Sequence, residues 1–139
     1  MIGLPEMAMS TLPLFGGCAC GAVRYRVDAE PQETGYCHCR ICQRSSAAPA
    51  VPWAVIPLTG FAYLSGELGL WRSSEEGERR FCVKCGTPLE FRVRDGETVG
   101  LNIVTLDEPE RIEPQCHIWC SSQLSWFDTR DDLPRRQEG

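Results

Sequence analysis

Nine cysteines, seven of them gathered into three short clusters, constrain this 139-residue chain more than anything else in it. The clusters are Gly17-Cys18-Ala19-Cys20-Gly21, Cys37-His38-Cys39-Arg40-Ile41-Cys42 and Phe81-Cys82-Val83-Lys84-Cys85-Gly86. An odd number leaves one thiol over in any full disulfide scheme. The opening MIGLPEMAMSTLPLF has no Lys or Arg ahead of its apolar stretch and carries Glu6 and two prolines, so it does not read as an export signal. A cytoplasmic location is therefore expected. In a reducing compartment, clustered cysteines point to metal rather than to disulfides.

Spacing limits how the clusters can bind metal. Tetrahedral zinc with Zn–S near 2.3 Å needs sulfurs about 3.8 Å apart. Side chains two residues apart on a flat strand stand about 6.5–7 Å apart, so Cys18 and Cys20 must sit on a bent segment, which Gly16, Gly17 and Gly21 permit. Cys82-x-x-Cys85-Gly86 is a knuckle pattern, its glycine free to take the positive φ that turns backbone N–H groups toward the thiolates. Cys20 and Cys82 lie 62 positions apart. Closing such a loop costs about 4 kcal/mol plus a constant, against roughly 10–16 kcal/mol from a structural zinc, so the separation is no obstacle. By spacing alone, Cys39-x-x-Cys42 pairs with Cys82-x-x-Cys85 as well as Cys18 and Cys20 do. The middle cluster offers three thiolates within six residues. It is either an open site, whose fourth corner is left for water or substrate, or a closed one completed by His38, His117, Cys116 or Cys120.

The rest of the chain reads as β-structure in a single domain. Thirteen glycines and ten prolines punctuate it throughout, and no segment holds a helical period. Val23, Tyr25 and Val27 alternate with Arg24 and Arg26, which marks a half-buried strand. Residues 50–56, 68–72 and 98–104 read as further strands, the first placed at an edge or bulge by Pro52. Residues 79–82 and 89–93 form a hairpin, Asp95-Gly96 a turn, residues 31–35 a turn, and residues 40–46 a helical turn. Residues 1–16 look like a loose leader and the chain from Asp128 like a frayed tail.

Charge narrows the partners. A net charge of −5 and a pI near 5.0 disfavour nucleic acid, and no apolar run approaches the ~18 residues of a membrane helix. Arg79-Arg80 and Arg135-Arg136 are isolated pairs, and Glu75, Glu76 and Glu78 read as a solvated loop. His38, between two cysteines on extended chain, would point away from them. Cys116 and Cys120 read as spare thiols.

Taken in order, these motifs resemble the glutathione-dependent formaldehyde-activating enzyme family, which includes centromere protein V. The resemblance is carried by Gly17-Cys18-x-Cys20-Gly21-x-Val23-x-Tyr25 and Cys37-His38-Cys39-x-x-Cys42-x-Arg44. It continues through Phe81-Cys82-x-x-Cys85-Gly86-Thr87-Pro88-Leu89, Thr105-Leu106-Asp107, Pro114-x-x-His117-Ile118-Trp119 and Trp126. It implies a mainly β, β-tent-like fold of small antiparallel sheets over residues 17–134, with minor helical turns and a short tail at 135–139. It implies structural zinc on Cys18, Cys20, Cys82 and Cys85, and a second, catalytic zinc on Cys37, Cys39 and Cys42. It implies a carbon–sulfur lyase-type reaction joining glutathione to formaldehyde as S-hydroxymethylglutathione. The alternatives are a non-catalytic zinc-stabilised binding module and a metal- or redox-sensing protein. Gln43 stands where the family often has a basic residue, and Ala47 where glycine is expected.

Zinc held by three thiolates carries a net charge of −1 and suits a soft thiol substrate better than water, lowering the thiol's pKa from its free value of ~8.5. Arg40, Arg44 and Lys84 flank the cysteine turns and are the candidates to meet the carboxylates of glutathione or of its aldehyde adduct.

Overall fold

The computed structural model describes residues 12–139. Most of the expected leader lies outside the described residues, but its end does not: Leu14–Gly17 form strand β1, with Leu14 packed into the core. β2 (Arg24–Val27) pairs antiparallel with β1 on one side and with β5 (Phe61–Ser65) on the other. As the alternation predicts, Val23, Tyr25 and Val27 are buried.

A second, seven-stranded sheet runs in the order β10-β3-β4-β9-β8-β7-β6. Its members are β3 (Glu33–Cys37), β4 (Val51–Pro57), β6 (Leu68–Arg72), β7 (Gly77–Cys82), β8 (Pro88–Val93), β9 (Thr98–Asn102) and β10 (His117–Ile118). Neighbours are antiparallel except β10, which lies parallel to β3. Helix α1 (Arg40–Ser46) leaves β3 and returns to β4, ending on Ala47 in the left-handed region at φ 52°. The mainly β architecture with minor helical turns expected from the sequence is the one found. No helix among the described residues is long and apolar enough to cross a membrane.

Four expectations need correcting. Residues 33–37 form a strand, not the end of a turn, because Gly35 sits under Trp53: a Cβ there would lie 2.7 Å from the Trp53 ring and 2.8 Å from Cys116 Sγ. Pro52 lies inside a central strand. Its missing N–H costs nothing there, because β9 pairs with β4 only from Trp53 onward. β9 stops at Asn102, and residues 103–105 turn into a 3₁₀ segment. The tail is laid against β10: His117 N donates to Pro134 O at 2.8 Å, Arg136 N to His117 O at 2.9 Å and Cys120 N to Arg136 O at 2.9 Å. A two-residue outer strand has donors and acceptors to fill, and the tail fills them.

The sheets share one apolar core, in which Val23, Tyr25 and Val27 meet Ala54, Ile56, Leu89, Val99 and Leu101. One charged group is sunk into it. The Glu90 side chain is fully buried, bonded by Arg92 at 2.8 Å and the Tyr63 hydroxyl at 2.8 Å, with Arg80 at 3.6 Å. Removing the carboxylate leaves half-buried Arg92 without an anionic partner, Arg80 with Glu78 alone and the Tyr63 hydroxyl without its acceptor. Glu90→Ala is therefore expected to cost about 3–5 kcal/mol in urea denaturation. A change below about 1 kcal/mol would show that these arginines turn out to water freely.

Candidate metal centres

The strands deliver the clustered thiols to two points. β1 ends at Gly17, and the chain folds back at once: Gly21 N donates to Cys18 O at 3.1 Å, and Gly21 has φ +82°. On this bent segment the Cys18 and Cys20 Sγ atoms are 3.5 Å apart. β7 ends at Cys82, and Gly86 (φ +81°) closes the knuckle with a 2.8 Å bond from its N–H to Cys82 O. Cys82 Sγ accepts from Lys84 N at 3.3 Å and Cys85 N at 3.4 Å, and lies 3.9 Å from Cys20 Sγ. All four thiols lie within 4.8 Å of one another.

Thr87 ties the halves together, accepting from Ala19 N at 3.0 Å and standing 3.1 Å from Cys85 Sγ. Its hydroxyl holds the Cys85 thiol down to about 5. Sulfur spacings of 3.5 and 3.9 Å match the edge of a tetrahedral four-sulfur site. Of the two groupings that spacing left open, the geometry assembles Cys18, Cys20, Cys82 and Cys85.

The second point is built at the start of α1. Cys37 ends β3, Cys39 is the N-cap residue whose Sγ accepts from Cys42 N at 3.2 Å, and Cys42 lies in the first turn, its Sγ 3.3 Å from Cys37 Sγ. The Cys37 thiol, then that of Cys42, pull Cys39 down to about 2, while Cys39 in turn pushes Cys37 up. Three thiols this close ionise together only when a cation joins them, and a soft divalent ion fits such a donor set. No fourth His, Cys, Asp or Glu joins this group among the described residues.

Of the candidates for a fourth ligand, Cys120 stands outside the cluster and the other three are engaged elsewhere. His38 turns away from the cysteines, as its position between them requires. Its Nε2 meets His117 Nδ1 at 2.8 Å, and His117 Nε2 faces both Asp131 oxygens at 3.1 Å. Both imidazoles are fully buried. Burial would raise the Asp131 carboxyl, but the Thr129 hydroxyl, the Leu133 N–H and His117 outweigh it and bring it to about 2. An ionised Asp131 can only accept, so His117 Nε2 donates to it, and the two imidazoles share the single proton between His38 Nε2 and His117 Nδ1. His38 Nδ1 is buried and has no partner among the described residues. Cys116 bonds Thr34 O at 3.4 Å and takes a 2.9 Å bond from Arg136.

The basic residues expected to meet substrate are dispersed. Arg40 and Arg44 are exposed on α1, Arg40 donating to Gln43 Oε1 at 2.6 Å, and Lys84 is exposed on the other knuckle. Gln43 is buried and spends its amide on His38 O, Pro49 O and Ser122 O. The residue missed in the sequence is Arg79, whose Nη2 lies 3.5 Å from Cys42 Sγ. Period-two alternation was the available signal: Arg79 and Arg80 stand on opposite faces of β7, and only Arg80 turns to Glu90. A cavity of about 380 Å³ reaches from Cys18 and Thr87 to Ser46, Val51 and Asn102, and no charged side chain lines it.

A mainly β fold with one four-thiol and one three-thiol cluster defines a candidate metalloprotein with two unlike centres. Residues 13–122 match the glutathione-dependent formaldehyde-activating enzyme family, and the chain belongs to that family. It is 26% identical over 113 residues to an uncharacterized lyase of Schizosaccharomyces pombe, covering 73% of this chain and 82% of the relative. It is 29% identical over 132 residues to a Halomonas elongata protein provisionally named a glutathione-dependent formaldehyde-activating enzyme, covering 83% and 80%. A crystal structure of a Rhodobacter sphaeroides protein shares the fold at a TM-score of 0.58 and 22% identity, over 88% of this chain and 99% of that one.

Proposed function

We propose that the chain is a zinc-dependent carbon–sulfur lyase-type enzyme acting on a thiol adduct, the pair glutathione and formaldehyde being the leading candidate. The observation that carries this reading is the convergence of Cys37, Cys39 and Cys42 with no fourth protein ligand beside them among the described residues. Cys18, Cys20, Cys82 and Cys85 would hold a structural zinc, closed by four sulfurs and braced by backbone N–H groups. Cys37, Cys39 and Cys42 would hold the second. Bound there, zinc supplies Lewis acidity that favours the thiolate form of an incoming thiol.

The chain's own residues do the rest. Helix α1 fixes Cys39 and Cys42 on one turn, and β3 fixes Cys37. Arg79 sets a positive charge beside a cluster that carries net negative charge. The family membership and the names of the relatives support the same reaction class.

Protein purified without chelator is expected to carry two zinc ions per chain. It should also speed the exchange between glutathione plus formaldehyde and S-hydroxymethylglutathione, read by NMR exchange spectroscopy. Two zincs with no acceleration for glutathione or any other thiol tested would favour the binding-module reading. One zinc, released only on unfolding, would remove the second centre from the proposal.

A further inference from the structure

We propose that Arg79 binds the carboxylate of the substrate at the Cys37–Cys39–Cys42 centre. The inference rests on the reading of that centre as a thiol site and supplies its anion-recognising residue. It starts from what Arg79 lacks. Among the described residues Arg80 and Arg92 share Glu90, Arg24 pairs with Asp107, Arg26 with Asp28 and Arg136 with Glu33. Among the described residues Arg79 has no carboxylate within ion-pair distance, and its buried Nε has no partner. A guanidinium kept half-buried and unpaired in a chain of net charge −5 is an anion site in waiting.

The side chain is also held in place. Its guanidinium lies 5.0 Å from the centroid of the Phe91 ring, and Nη2 is 3.5 Å from Cys42 Sγ. Strand register then defines the surface around it. Arg79 pairs with Phe91, Phe91 with Gly100, and Gly100 with Val55. Two residues along, on the same face, Asn102 pairs with Trp53, and two further, Val51 pairs with Cys37. These residues are half-buried, apart from Cys37, while Glu90, Leu101 and Ala54 on the opposite face are buried in the core.

The sheet therefore carries one partly covered face that runs from Arg79 to Cys37. Gly100 contributes no side chain to it. Trp53 Nε1 and Asn102 Oδ1 are buried along it with no partner. A ligand with a thiol at one end and a carboxylate a few bonds away meets a soft centre and a planar double donor on that face. Neither Arg40 nor Arg44 nor Lys84 combines proximity to a cluster sulfur with an unspent guanidinium or ammonium in this way.

Calorimetric titration of the zinc-loaded full chain with three small probes tests this. Mercaptoacetate carries both groups, 2-mercaptoethanol the thiol alone, and acetate the carboxylate alone. The wild-type chain is expected to prefer mercaptoacetate to mercaptoethanol by roughly 10- to 100-fold. Arg79→Gln should abolish that preference by weakening mercaptoacetate far more than mercaptoethanol, with the melting temperature in place. Arg79→Lys should keep part of it, having the charge without the fork.

Equal weakening of both thiols by Arg79→Gln would overturn the proposal and leave Arg79 as a neutraliser of the cysteine cluster. An unchanged preference, or none in the wild-type chain, would overturn it as well. Arg79-dependent binding of acetate with no binding of mercaptoethanol would uphold the carboxylate site and sink the thiol reading of the centre. Binding of none of the three would sink both.

Discussion

Cys82→Ser is expected to leave a chain that does not fold. Cys82 Sγ is the most enclosed sulfur of the four-thiol cluster, with the residue only 1% exposed, two backbone N–H groups directed at it and Cys20 Sγ 3.9 Å away. It joins a turn from the three-stranded sheet to a knuckle of the seven-stranded one. A structural zinc contributes roughly 10–16 kcal/mol, while domains of this size keep a net stability of about 5–15 kcal/mol. Losing one of four ligands removes most of that contribution and leaves three thiols crowded without a counter-ion. Near-UV circular dichroism and zinc analysis of the variant should show loss of the cooperative transition together with both metals. Cys120→Ser, outside either cluster, should shift the urea midpoint by less than about 1 kcal/mol. A Cys82→Ser protein melting within a few degrees of wild type would show that the cluster does not hold the fold.

Cys39→Ser should do the opposite: spare the fold and abolish turnover. The structural task of Cys39 is to cap α1 by accepting from Cys42 N, and a serine oxygen performs that task at least as well. What serine lacks is a soft donor that ionises readily beside two other thiols. The expected outcome is an unchanged melting transition, one zinc per chain in place of two, and a fall in turnover of at least about 10³-fold. That fall corresponds to the several kcal/mol a metal centre supplies. Undiminished turnover with a single zinc would remove the three-thiol cluster from the chemistry.

The legible parts of this molecule are those where local chemistry leaves few choices. The bent Cys18–Gly21 turn followed from the mismatch between strand rise and zinc geometry, and β2 from strict alternation. The helical turn at residues 40–46 and the turn at Asp95-Gly96 were also readable. The three-thiol cluster needed only sequence proximity to be seen. What stayed hidden was long-range. β3 was masked by Gly35, whose reason is the Trp53 ring on the next strand. The place of Pro52 inside a sheet depends on where β9 ends. Arg79 looked like half of a surface pair until β8 put Glu90 under Arg80 and Phe91 under Arg79. The His38–His117–Asp131 chain joins positions 79 and 14 apart, a linkage no local pattern announces.

The tail laid against β10 sets an order for building the protein. During synthesis the four-thiol cluster has all its ligands once Cys85 has emerged, and the three cysteines of the other cluster are present far earlier. The buried imidazole behind that second cluster finds His117, Asp131 and the pairing of residues 134–137 only when the rest of the chain arrives. A product released early, after residue 122, would contain every clustered thiol, yet its His38–His117 pair would lack the Asp131 carboxylate that anchors it. Residues 131–137 thus distinguish a chain whose buried imidazole pair is anchored from one that has merely gathered its thiols.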